Sequence, residues 1–330
     1  MLKVIEDQLV IKKYAKRFAK KFKPLIDEEI KAKIGHQGAS FRAKVLWSKS
    51  LGTWKFSRTI KGTRYWNAFG VGKPQESSLL SITAEINFPW AGIDRKTGGA
   101  FAEDAWGNVF VIHRGKIGGG KKGVGKSLFE HNYRGVWSFM EDGKSVTQVA
   151  IIGALNSSRF ALQAAQFIKK IEKLKSTATT STQTEINFLE ITFREDLVGS
   201  APYCIEDEII SACDRDLVIG DLAALLQRRK LKIGNDTERE LFVVDPSKNR
   251  ISHVFEVLTD TKEKSVLAAA AKLLLQTSAS AGNPLPILVL PEDKINKYEQ
   301  ELQRINISVI GFRWEGEKAV FPELEKIEFK

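Results

Sequence analysis

A chain of 330 residues, 43% apolar and 28% charged, has the length for two folded domains and the composition of a globular protein. Two cysteines and four histidines exclude a disulfide framework and a zinc cluster, and no run of 18 apolar residues is present to span a membrane. The net charge of +11 is unequally divided: residues 1–175 carry 32 Lys and Arg against 14 Asp and Glu, whereas 176–330 carry 19 against 26.

The opening MLKVIEDQ is not followed by an apolar stretch, so no secretory leader is expected, and Cys204 and Cys213 suit a reducing, cytoplasmic setting. Residues 5–33 read as a long helix interrupted at Pro24. Val4, Leu9, Val10, Tyr14, Phe18, Phe22, Leu25, Ile26 and Ile30 form its apolar stripe. Lys12, Lys13, Lys16, Arg17, Lys20, Lys21 and Lys23 form the opposite face. That face and the net +18 of the first half point to a polyanion, nucleic acid ahead of an anionic membrane.

Residues 40–153 are expected to be β-rich, with short runs such as FRAKVLW, GTWKFSR, LLSITAEINF, NVFVIHR and VTQVAIIGAL between Gly, Asn and Pro. Six of the seven tryptophans lie here among Lys and Arg. Trp54 and Trp66, beside Arg58 and Arg64, are candidates for stacking on bases next to phosphate contacts. GKKGVGKS (120–127) has the spacing of a phosphate-binding loop, but neither a buried apolar strand nor a long helix flanks it. A nucleotide hydrolase is therefore the third-ranked reading. A flexible basic loop, with Lys116, Lys121, Lys122 and Lys126 on phosphate, is preferred. A helix follows on Phe160, Leu162, Ala165, Phe167, Ile168, Ile171 and Leu174, with Asn156, Ser157 or Ser158 as N-cap.

STATTSTQT (176–184) is small, polar and uncharged and sits where the charge changes sign. It divides a basic domain, 1–175, from a second domain, 185–330. The second domain reads as a strand at 186–193, a helix at 216–231 and strands at 240–245 and 251–259 joined by the turn PSKN. A helix at 262–279, an apolar strand at 286–291, a helix at 293–305 and a strand at 308–314 follow. The whole chain is α+β: a basic helix and β-rich half, then an α/β core on a mixed sheet.

That order of helix, hairpin, helix, buried strand, helix and strand resembles the restriction-endonuclease-like fold, the PD-(D/E)XK superfamily, over residues 186–314. In that family an acid on the first hairpin strand and an acid-x-lysine on the second hold the reaction, and the next helix often carries a glutamine. Glu240 matches the first acid, with Asp245 a rival at the strand's far end, and Glu256 the second. The resemblance implies magnesium or manganese held through carboxylate oxygens. The expected lysine position is Leu258. Lys272, at the place of the helix glutamine, is the replacement, ahead of Lys262 and Lys264, and Asp221 is a further possible ligand. The resemblance implies a metal-dependent endonuclease acting on double-stranded DNA, as in restriction or genome defence, with a homodimer where both strands are cut. The competing reading is a nuclease fold that has lost catalysis and serves as a DNA-binding scaffold. His36, His113, His131 and His253 are expected to be structural.

Overall fold

The computed structural model describes residues 1–36, 38–117, 125–177, 191–195, 198–199, 209–260, 262–280 and 282–329. The chain is mixed α and β, with three mixed sheets and six α-helices among the described residues. It divides into two units, one of Met1–Ser181 with Ser200–Cys213 and one of Thr182–Gly199 with Asp214–Lys330. The division between Ser181 and Thr182 falls within the expected boundary at 176–184, and Ser200–Cys213 group with the first unit as well. Residues 178–184 and the expected strand to 190 lie outside the described residues.

In chain order the first unit carries β1 (Leu2–Val4), α1 (Gln8–Phe22), β2 (Glu28–His36), β3 (Ala39–Ser48), β4 (Thr53–Ile60), β5 (Arg64–Val71), β6 (Leu79–Leu80), β7 (Ala84–Glu85) and β8 (Phe88–Pro89). It continues with β9 (Gly99–Glu103), β10 (Val109–His113), α2 (Lys126–Asn132), β11 (Val136–Asp142), β12 (Ser145–Ala154) and α3 (Phe160–Thr177). The long expected helix is shorter: α1 stops at Phe22, and residues 28–33 are strand. The reason is legible in EEIKAKIGH, where Ile30, Ala32 and Ile34 are buried and Lys31 and Lys33 face water, a period of two. Asp7 caps α1 by accepting the Val10 N–H.

Strands β1, β11, β12, β10 and β9 close a barrel. Alternation fills it: Leu2, Val4, Ala100, Ala102, Phe110, Ile112, Val149 and Ile151 share one core. The intervening Phe101, Val111, Ala150 and Ile152 join α1 and α3 in the main core. The other sheet runs β6-β2-β3-β4-β5-β7. One of its faces gathers Ile30, Ile34, Val45, Trp47 and Trp54, and the other gives Phe69 to the core under α1 and α3.

Lys55 of β4 faces α1, its Nζ 5.2 Å from the Phe18 ring centre and 4.6 Å from that of Phe22. Burial lowers its pKa to about 7. An amine whose folded value lies below its unfolded 10.5 costs the fold stability below about 7 and nothing above 10.5, so stability rises with pH through that window. Lys55→Met is expected to remove that slope and to stabilise the first unit by about 1–2 kcal/mol at pH 6. Urea unfolding at pH 6 and pH 9 reads both, and a lower midpoint for the variant at pH 6 contradicts the expectation.

The second unit carries most of α4 (Ile209–Arg228), then β13 (Lys232–Gly234), β14 (Leu241–Asp245), β15 (Arg250–Val257), α5 (Glu263–Ser278), β16 (Leu285–Pro291), α6 (Ile295–Arg304), β17 (Ser308–Glu315) and β18 (Lys318–Val320). The sheet order is β13-β14-β15-β16-β17-β18, with β15, β16 and β17 parallel and the other pairs antiparallel. Leu241, Val243, Phe255, Val257, Ile287 and Val289 pack on the α4 stripe Val218, Ile219, Leu222 and Leu226. Phe242, Val254, Leu288 and Leu290 pack on α5 and α6. Helices on both faces explain why β16, LPILVLP, is apolar along its length.

Candidate functional site

The face of β15 that meets α5 carries a charge among apolar neighbours. Glu256 lies between Phe255 and Val257 and is 3% exposed. An ionised carboxylate there requires partners. Lys272, on the second half of α5, supplies one: its Nζ donates to Glu256 Oε1 at 2.8 Å and Oε2 at 2.7 Å. The Lys272 side chain is 39% exposed and is the most open member of the group.

Glu240 immediately precedes β14 and is 6% exposed. Its approach is built by a tight loop in which Asp236 Oδ1 accepts the N–H groups of Glu238 and Arg239 at 2.9 and 2.7 Å. Because the hairpin pairs Leu241 with Phe255, Glu240 is brought beside Glu256. The Val257 N–H donates to Glu240 Oε2 at 3.4 Å.

Arg215 of α4 links the two acids. Its Nη2 donates to Glu256 Oε1 at 2.9 Å and pairs also with Glu240 Oε1, and its Nε donates to the Val257 carbonyl at 2.8 Å. Burial pushes the Glu240 carboxyl up to about 7, with the Glu256 charge adding to the rise and Arg215 and Lys272 opposing it. Four formal charges, two of each sign, thus cancel within one buried cluster.

Among the described residues no group of three or more His, Cys, Asp or Glu side chains gathers as a metal site. The oxygens that do converge are the two carboxylates and the Val257 carbonyl, all on the Arg215 guanidinium. They fit a hard divalent ion in kind, since such ions take oxygen ligands. The cations on them in this structure are Arg215 and, at Glu256, Lys272.

Asp245 is not part of the cluster. It sits at the turn end of the hairpin opposite Arg250, roughly 13 Å of strand from Leu241. There it accepts from the Ser247 N–H at 2.9 Å and the Ser247 hydroxyl at 2.6 Å, and these bonds hold its carboxyl below the usual range. Asp221 instead accepts the Ala319 N–H at 2.8 Å. Leu258 pairs its backbone with Val289 and turns its side chain toward the α5 core. Leu258 is therefore an apolar packing residue, and the ammonium beside Glu256 is that of Lys272. Lys264 is exposed.

In the first unit the expected nucleic-acid residues separate. Trp54 and Trp66 are 2% and 4% exposed, so neither shows a ring face to a base. Burial follows from their partners: Trp66 contacts Phe41, Phe56 and His36, and its Nε1 donates to Glu85 at 2.9 Å. Arg58 is exposed and Arg64 half-buried. Lys116 is exposed and donates to the Arg95 carbonyl, and Lys126 pairs with Glu130 at 3.1 Å on the first turn of α2. Lys121, Lys122 and most of GKKGVGKS lie outside the described residues. His113 is buried, with its pKa lowered to about 4 by burial, and its Nδ1 accepts the Gly115 N–H. Trp106, on the β9–β10 connection, is exposed, at 72%.

Comparison with family models, curated proteins and solved structures returns no match to this chain. Arg215 is the member of the cluster that sequence reading missed. Its signal is present: it lies three and four residues before Val218 and Ile219, on the buried stripe of α4, where an arginine needs an acid. Among the described residues no helix is long and apolar enough to cross a membrane.

Proposed function

We propose that the chain is a metal-dependent nuclease acting on double-stranded DNA. The observation that supports this reading is the convergence of Glu240, Glu256 and Lys272, two acids from adjacent hairpin strands and an amine from the next helix. Glu240, Glu256 and the Val257 carbonyl are the oxygens that would hold Mg²⁺ or Mn²⁺. When bound, such an ion supplies a water activated near neutral pH and shares the charge of the scissile phosphate. Lys272, the open member, places a cation where a phosphate approaching Glu256 would meet it. The exposed Lys12, Lys13, Lys16, Arg17 and Lys20 of α1, a helix without an acid, suit the grip on the DNA backbone.

The test is cleavage of plasmid DNA by the wild type, Glu256→Gln and Lys272→Met in Mg²⁺ or Mn²⁺. Loss of at least 100-fold in rate for either variant, with DNA binding retained, is expected. Equal cutting by Glu256→Gln rules the assignment out. A second reading, a DNA-binding scaffold of nuclease-like design, is favoured by Arg215, whose guanidinium already satisfies the oxygens a metal needs. It predicts DNA binding without cleavage in either metal.

A further inference from the structure

The β2–β3 hairpin carries a ladder of cations on one face. Register places Lys31 directly opposite Lys44 and Lys33 directly opposite Arg42, and all four are exposed. Side chains so paired have Cβ atoms about 5 Å apart, and the two rungs are about 6.7 Å apart along the strands. Among the described residues, the acid paired with them is Glu29, 2.7 Å from Lys44. Like charges in directly opposed positions destabilise a sheet. The hairpin therefore holds an arrangement that disfavours its own fold and favours an anion.

The same sheet explains what kind of anion. Its tryptophans Trp47, Trp54 and Trp66 are buried, its Phe41, Phe56 and Tyr65 are half-buried, and Trp47 and Trp54 belong to the core on the opposite face from the ladder. At its β2–β3 end the ladder face presents amines and a guanidinium; the half-buried ring on that face, Tyr65 of β5, is already stacked on Trp90 at 5.4 Å. α1 and α3 cover the β5 end of that face, through Phe69, and leave the β2–β3 end open.

We infer that Lys31, Lys33, Arg42 and Lys44 form a sequence-independent docking surface for the sugar–phosphate backbone of a nucleic-acid duplex. The inference rests on the nucleic-acid reading above and extends it to residues outside α1. A duplex offers regularly spaced phosphates with its bases turned inward, which matches cations without stacking rings, whereas single strands are held through aromatic platforms.

The experiment compares full-length wild type with K31Q/K33Q/R42Q/K44Q and with K297Q/R304Q/K318Q/K326Q, a control that removes the same charge from exposed positions of the second unit. Binding to a mixed-sequence 30-base-pair DNA is measured by fluorescence anisotropy from 50 to 300 mM salt without divalent ions. For the ladder variant Kd is expected to rise roughly 100-fold, and the slope of log K against log salt to become shallower by about 3–4. The control variant should stay within about threefold of wild type. The ladder variant should melt no lower than wild type, since opposed like charges are removed. Wild-type duplex binding with an unaffected ladder variant, or equal loss in both variants, overturns the surface while the nucleic-acid reading stands. No duplex binding by the wild type sinks that reading itself. Binding to vesicles of phosphatidylcholine with 30% phosphatidylserine but not to DNA overturns the inference in favour of a membrane.

Discussion

Glu256→Ala should lower the stability of the second unit by about 3–5 kcal/mol, the usual cost of breaking a buried ion pair from one side. The size follows from what is left behind. Arg215 and Lys272 both donate to Glu256, and Arg215 is largely buried. Removing the acid leaves two cations for the single carboxylate of Glu240. Lys272→Met alone should cost far less, about 1 kcal/mol, because Arg215 still pairs with Glu256 and water can take the place of an ammonium that is 39% exposed. The double variant should then be more stable than the sum of the single losses predicts, by about 1 kcal/mol, since Lys272 no longer lacks an anion. Hydrogen exchange at the amides of β14 and β15 reads the local opening free energy for all three. A loss below about 1 kcal/mol for Glu256→Ala would show that the charges are solvated.

The hairpin and its acids were legible because their signals are local. Alternating and apolar runs marked β14 and β15, and a turn-forming PSKN lay between them. The pairing of Leu241 with Phe255 then left Glu240 beside Glu256 and carried Asp245 to the other end. Lys272 was legible through the order of elements, since α5 must return across the sheet to start the parallel β16. Arg215 was legible only in part: its spacing to Val218 and Ile219 puts it on the buried stripe, but the expected helix began at residue 216, and which acid it meets depends on how α4 lies on the sheet. The same limit applies in the first unit. Tryptophans interleaved with arginines suggest one mixed surface, yet strand alternation sends Trp47 inward and its neighbours Lys44 and Arg42 outward. Helical spacing continues across Pro24 and suggests one helix, although 28–36 alternates with a period of two and pairs with β3 along nine residues.

Arg215→Met should separate the two readings of the cluster through metal binding rather than through cleavage. The guanidinium donates to oxygens of Glu256 and Val257 and pairs with Glu240. Replacing it by an apolar side chain changes the formal charge of the cluster from zero to −1 and frees those oxygens. Affinity for Mn²⁺ should rise at least tenfold, measured by calorimetry at pH 8, because a divalent cation no longer competes with a resident one. The proton responds in the same direction. Burial already lifts Glu240 to about 7, and Arg215 is the strongest influence opposing that rise. Without it Glu240 should titrate higher still. An acid whose folded value lies above its unfolded value favours the fold at low pH and loses that contribution as pH rises between the two. The metal-free variant should therefore lose stability from about pH 4.5 to beyond pH 7, whereas the wild-type loss ends near 7. Mn²⁺ at pH 8 should restore the variant's melting temperature by more than it raises that of the wild type, since binding to the folded state alone stabilises it. If Mn²⁺ binds both proteins equally, Arg215 does not guard those oxygens, and the scaffold reading loses its main support.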